Sequence, residues 1–134
     1  MSTDRMRRIV AAVPKVGGRI ALEWSDGTKA VIAVAAASAA SIGDWGHGLV
    51  WPDGHEIGAD ALWLETLSAI GRDDARAFLE WRLANGLSLS GTGEALGLSR
   101  RTVAYYSNGD RPVPKAILLA CKGWDSLHPK RKAA

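Results

Sequence analysis

The sequence predicts an α+β protein, a small N-terminal antiparallel sheet with one helix, followed by an all-α domain. Three observations predict it. In the first half apolar residues alternate with polar ones, whereas from Asp73 onward they recur at the spacing of a helix face. Asp-Gly pairs at Asp26-Gly27 and Asp53-Gly54 punctuate the first half as tight turns. In the second half Ser88 and Ser99 stand where helices start, and Gly97 and Gly109 stand where they stop. No internal repeat and no low-complexity linker is expected.

Taken in order, residues 8–13 read as a first strand that ends at Pro14, which has no N–H to give to a ladder. In residues 19–24, Ile20, Leu22 and Trp24 alternate with Arg19, Ala21 and Glu23, the period of a strand. Ser25-Asp26-Gly27-Thr28 then predicts a type I′ turn, with both central residues at positive φ, and a return strand over 29–34. Trp51-Pro52-Asp53-Gly54 predicts a second turn between short strands at 48–51 and 55–57, since Pro presets the first corner and Gly relieves the second. Asp60 is placed as the cap of a helix over 61–69 that Gly71 stops. Residues 1–70 therefore read as one small domain, a three- to five-stranded antiparallel sheet with one helix.

Residues 73–126 read as a second, all-α domain, and 127–134 as a basic tail. Asp73 or Asp74 is placed as the cap of a helix that Asn85-Gly86 closes, with Phe78, Leu79 and Leu83 on one face. Ser88 caps a short helix reaching Leu96, Gly97-Leu98-Ser99 makes a corner, and Ser99 caps a helix over 100–108. Two helices of about two turns joined by such a corner match a helix-turn-helix unit, whose second helix enters the major groove of DNA. Val103 and Tyr106 would face inward with Leu96 and Leu98. That leaves Arg100, Arg101, Thr102 and Tyr105 on the outward face near the helix start. Guanidinium forks pair with guanine O6 and N7. Two arginines at a helix N-terminus oppose the macrodipole at a cost of roughly 0.3–1 kcal/mol each, a cost that phosphate or base contacts would offset.

Charge agrees with this division. Residues 1–72 hold 7 Lys/Arg against 8 Asp/Glu, and residues 73–134 hold 10 against 6, so the net charge of +3 lies in the C-terminal half. A basic half beside a neutral one suggests that one half meets a polyanion. The low-charge stretch 30–42 is shorter than the ~20 residues a bilayer needs, so no membrane association is expected. Arg5, Arg7 and Arg8 ahead of residues 9–13 imitate a signal peptide, but Pro14 and Lys15 cut the apolar run short. Cys121 stands alone, which points to the cytoplasm and excludes an intrachain disulfide.

The segment GLSLSGTGEALGLSRRTVAYYSNGDRPVP makes residues 75–124 resemble the lambda-repressor-like (XRE-type) DNA-binding domain. The resemblance implies base contacts from Arg100, Arg101 and Tyr105, with Thr102 beside them. It also implies phosphate contacts from Ser88, Ser90, Asn108 and Arg111, with the cap Ser99 among them. The chain departs from that pattern at Leu89, where a polar residue is usual, and at Thr92 and Gly93, where Leu and Ala are usual. Gly91 and Gly93 each weaken a helix by roughly 0.8–1 kcal/mol relative to Ala, so the first helix of the pair is expected to be loose. The segments EWSDGTKAVIAV and LVWPDGHEIGADALW resemble a small bacterial domain family of uncharacterised function. Its members occur alone or ahead of a repressor-like domain, some in toxin–antitoxin operons.

Other constellations read more blandly. Asp44, His47, His55 and Glu56 lack the spacing of metal ligands and read as a cluster of polar side chains in loops around Trp51. Cys121 sits near Ile117 and Leu118 and reads as a buried structural thiol. The six Trp read mostly as core, with Trp45 and Trp51 becoming anchors for a partner protein if they are exposed. No cofactor and no enzymatic activity is expected. The expectation is a DNA-binding transcriptional regulator, cytoplasmic, acting on double-stranded DNA as a homodimer, with residues 1–70 for dimerisation or a partner protein. The alternative is an antitoxin-like interaction module with weak or no DNA binding.

Overall fold

Alternating apolar residues in the first half form strands, as their period requires. The computed structural model describes residues 7–129, and the chain divides after Gly71 into two compact units. In the first unit β1 (Ile9–Lys15), β2 (Arg19–Trp24) and β3 (Lys29–Ala33) form an antiparallel sheet in the order β1-β2-β3. Ile20, Leu22 and Trp24 are buried, while the residues between them are partly or fully exposed. β1 continues past Pro14, which pairs with Ile20. Proline is tolerated there because β1 is an edge strand and one side of its backbone needs no partner.

The expectation of one N-terminal sheet is corrected. β4 (Ser41–Ile42), β5 (Gly48–Val50) and β6 (Glu56–Gly58) form a second three-stranded antiparallel sheet, followed by α1 (Ala59–Ala69). With the helices of the second unit, the fold is α+β with two small sheets and five α-helices among the described residues. The reason lies in residues 34–40, an Ala-rich run with no alternation to extend β3. It leaves the sheet through a single 3-10 turn whose preceding residue, Ala36, has φ 52°. The Trp51 indole N–H donates to the Ala36 carbonyl at 2.9 Å and fixes that departure. Close backbone approaches complete the second sheet. A Cβ at Gly48 would lie 2.3 Å from the Ile57 carbonyl oxygen, and one at Gly46 would lie 2.5 Å from that of Ile9. Helix α1 buries Leu62, Trp63, Thr66 and Leu67 and contacts β3, β5 and β6. Trp24 meets Trp63 edge-on at 5.1 Å and donates through its indole to Thr66 Oγ1 at 3.0 Å.

The two turns share one construction. In Trp24-Ser25-Asp26-Gly27-Thr28 and in Trp51-Pro52-Asp53-Gly54-His55, the Trp N–H donates to the carbonyl four residues on, and the Gly N–H donates back to the Trp carbonyl. In each, the Asp Oδ1 accepts the backbone N–H two residues on, at 3.0 and 2.9 Å. Only the glycines have positive φ, 91° in both, so the first turn is a three-residue loop closed by a left-handed Gly and not the expected type I′ turn.

In the second unit α2 (Asp73–Ala84), α3 (Leu89–Leu96), α4 (Arg100–Asn108) and α5 (Lys115–Leu127) surround Phe78, Trp81, Val103, Val113 and Cys121. Leu96, Leu98 and Tyr106 pack against this cluster. Phe78 meets Tyr106 edge-on at 5.5 Å, and Trp81 meets Trp124 edge-on at 5.6 Å. Neither Asp60 nor Asp73 nor Asp74 caps a helix through its side chain. Asp60 lies inside the first turn of α1, and Arg72 precedes α2. An acidic residue in the first turn still complements the macrodipole. Helix α5 extends to Leu127, and His128 stacks on Trp124 at 4.1 Å. Lys130, Arg131 and Lys132 of the expected basic tail lie outside the described residues.

Candidate functional site

Two serine caps and two left-handed glycines fix α3 and α4. Ser88 Oγ accepts the Gly91 N–H at 2.9 Å, and Ser99 Oγ accepts the Thr102 N–H at 3.1 Å and donates to Thr102 Oγ1 at 2.9 Å. Gly97 and Gly109 end the helices at φ 72° and 75°. The corner between them explains Gly93: the Leu98 N–H donates to the Gly93 carbonyl at 2.9 Å, and a Cβ at Gly93 would stand 2.5 Å from the Leu98 carbonyl oxygen. The expected looseness of α3 is therefore set against a requirement for glycine at this approach. Thr92 is fully buried beside it, and its Oγ1 has no hydrogen-bond partner among the described residues.

Burial of Val103, Ala104 and Ser107 orients α4 and leaves Arg100 and Arg101 exposed at its start, with Thr102 and Tyr105 half-buried. No acidic residue lies in the first turn of α4. Arg101 Nε donates to the Tyr105 hydroxyl at 2.7 Å, one helical turn along. Arg111, exposed in the loop after α4, places its guanidinium carbon 4.2 Å from the centre of the same ring. Neither Arg101 nor Arg111 is ion-paired to a carboxylate among the described residues. Ser88 and Ser90 lie at the start of α3 and Asn108 ends α4. No hydrogen bond or ring contact among the described residues ties these three to the Arg101–Tyr105–Arg111 group.

What holds Arg111 in place is Arg72 together with Asp74, which the sequence offered only as a cap of its own helix. Arg72 donates to the carbonyls of Gly109 and Arg111, the latter at 3.1 Å, and forks onto Asp74 at 3.1 and 3.2 Å. Asp74 also accepts the Val113 N–H at 2.8 Å. Partial burial alone would raise the Asp74 carboxyl. The hydrogen bonds from Arg72, Val113 and Ala75 outweigh it and lower it from 3.8 to about 2. Arg82 similarly ties α2 to α4 by donating to Ser107 Oγ at 2.8 Å. Partners more than twenty residues away leave no local signal, so sequence spacing carried no trace of either link.

In the first unit Trp51 is buried, whereas Trp45 is 80% exposed at the tip of the β4–β5 hairpin, with φ 61°. Asp44, His47 and Glu56 line an open cleft of about 460 Å³. His55 instead tilts against Trp51 at 5.2 Å. Among the described residues no three His, Cys, Asp or Glu side chains gather as a metal site would require. Cys121 is buried, which with Asp125 nearby pushes its thiol up to about 11. Among the described residues no helix is long and apolar enough to cross a membrane.

No protein-family model matches the chain, and no curated protein does. Among solved structures it is similar to the crystal structure of a candidate DNA-binding protein from Nitrosomonas europaea. The two are 27% identical with a TM-score of 0.65, over 100% of this chain and 96% of that one.

Proposed function

We propose that the chain is a DNA-binding transcriptional regulator that acts by binding and not by catalysis. In this reading α3, the Gly97–Ser99 corner and α4 form a lambda-repressor-like helix-turn-helix, and α4 enters the major groove of double-stranded DNA. Arg100, Arg101 and Thr102 face the bases, with Tyr105 beside them on the same outward face. Ser88, Ser90, Ser99, Asn108 and Arg111 face phosphates. The first unit serves dimerisation or a partner protein, because a single short recognition helix gives modest affinity and a homodimer reads two half-sites about 34–36 Å apart. The proposal places the protein in the cytoplasm.

The observation that carries the reading is a pair of exposed arginines opening α4, where the helix dipole favours carboxylates, beside a third arginine held over Tyr105. Likeness to a candidate DNA-binding protein over the whole chain supports it. The test is duplex binding by fluorescence anisotropy at low salt, with Arg100→Ala plus Arg101→Ala as the variant. Loss of affinity by at least tenfold is expected. An unchanged affinity in a folded variant rejects the assignment.

Trp45 favours a second reading, an antitoxin-like interaction module with weak or no DNA binding. A tryptophan held in the left-handed region at an exposed hairpin tip is costly for the free protein, and interface hot spots are rich in Trp. Affinity capture with the native chain and with Trp45→Ser separates the readings. A partner retained equally by both variants removes Trp45 as its anchor.

A further inference from the structure

Tyr105 touches two guanidinium groups, those of Arg101 and Arg111. Resting on the DNA-binding reading above, we infer that Tyr105 is a positioning residue that presents Arg101 to a guanine edge and Arg111 to a phosphate, and is not itself the group that reads a base.

The geometry of Arg101 carries the first half. Its Nε is committed to the Tyr105 hydroxyl at 2.7 Å, which fixes the plane of the guanidinium on the outward face of α4. Of its five N–H groups, the four on Nη1 and Nη2 remain, and they form an end-on fork. In the major groove guanine offers two adjacent acceptors, O6 and N7, to such a fork. Adenine replaces one of them with a donor, thymine offers a single acceptor, and cytosine a donor. A fork whose third edge is already satisfied has lost the freedom to turn side-on and accept a different pattern. Guanine is the base it fits.

Arg111 carries the second half. It comes from the loop beyond α4 and not from the helix start. That loop is closed on the helix by the Asp110 N–H donating to the Tyr105 carbonyl at 2.9 Å, and Arg72 holds the Arg111 carbonyl at 3.1 Å. With its guanidinium carbon over the ring at 4.2 Å and no carboxylate partner among the described residues, Arg111 has N–H groups to offer an anion. Two like charges gathered around one phenol, with neither ion-paired to a carboxylate among the described residues, repel each other until a polyanion arrives.

The experiment selects duplexes from a random pool with the full chain. It then measures base preference and the salt dependence of affinity for the native protein, Tyr105→Phe, Tyr105→Leu and Arg111→Gln. The native protein should prefer guanine at one position of each half-site. Tyr105→Phe keeps the ring and loses the hydroxyl, so guanine-over-adenine discrimination at that position should fall by about tenfold, with the salt slope unchanged. Tyr105→Leu should lose the discrimination and also flatten the slope by about one phosphate contact, as Arg111→Gln does alone. A merely structural role would weaken all duplexes alike and leave the base preference intact, and that result overturns the inference. So does full discrimination in Tyr105→Phe, which is the more conservative variant and does not depend on Tyr105→Leu folding. If the native chain binds no duplex at low salt, the DNA-binding reading fails and takes this inference with it. If the native chain binds and Tyr105→Phe is indistinguishable from it, only this inference falls.

Discussion

The carboxylate of Asp74 accepts the backbone N–H of Val113 at 2.8 Å, across 39 residues of chain, while holding Arg72 in a fork. One acidic side chain at the start of α2 thus anchors the loop that carries Arg111.

This anchor has a pH signature. The folded Asp74 carboxyl is lowered from 3.8 to about 2, so its stabilisation is complete above pH 3.8 and is lost as pH falls through about 2. Asp74→Asn keeps an acceptor for Val113 but loses the charge facing Arg72. We expect it to cost about 1–2 kcal/mol at neutral pH in urea unfolding. The gap to the native protein should close between pH 4 and pH 2. A gap independent of pH across that window would mean that the charge of Asp74 contributes nothing.

Two glycines in helices should respond in opposite directions to alanine. At Gly93 a Cβ would meet the Leu98 carbonyl oxygen at 2.5 Å, so Gly93→Ala should destabilise by about 1–3 kcal/mol despite its better helix propensity. At Gly123, inside α5, a Cβ meets nothing within 4 Å, and Gly123→Ala should stabilise by up to about 0.8–1 kcal/mol. Thermal unfolding of the two variants checks both signs at once.

Thr92 offers a cleaner gain. Its hydroxyl is fully buried without a partner among the described residues, and Thr92→Val replaces that oxygen with a methyl of similar size. Relief of an unsatisfied polar group should raise stability by about 1 kcal/mol. A lower midpoint of unfolding would mean that the oxygen is satisfied after all.

Cys121 should be nearly inert to alkylation in the native protein at pH 7–8. Its thiol is buried and raised to about 11, so the thiolate that reacts is scarce. Addition of urea above the unfolding midpoint should release fast labelling. Rapid modification of the folded protein at pH 7 would contradict the burial.

What the sequence disclosed and what it withheld separate along the range of the interactions involved. The strand at β2 was legible because Ile20, Leu22 and Trp24 report burial by alternation alone. Ser88, Ser99, Gly97 and Gly109 were legible because a cap acts over three residues and a left-handed stop acts at one. The short strands near 48–51 and 55–57 were legible from the turn between them, but their separation into a second sheet was not. That separation depends on Trp51 reaching back to Ala36 and on Gly46 lying against the backbone of Ile9, neither of which a local pattern encodes. Asp74 was misread for the same reason: a residue that can cap its own helix was recruited by one far along the chain. At the candidate site the exposure of Arg100 and Arg101 followed from the helical period, whereas the placement of Arg111 over Tyr105 required the loop geometry that Arg72 imposes.

The paired Trp-x-Asp-Gly closures bear on how the first unit acquires its structure. Each turn closes a hairpin through contacts no more than five residues apart, an event on the order of 1–10 μs. The unit therefore possesses two separate seeds of similar construction, and neither waits for the other to form. Docking onto α1 closes much longer loops, as in the contact of Trp24 with Thr66, 42 positions apart, and is expected to be the slower event. Damage to one turn should delay collapse without abolishing it, since the surviving hairpin still offers a template for the rest.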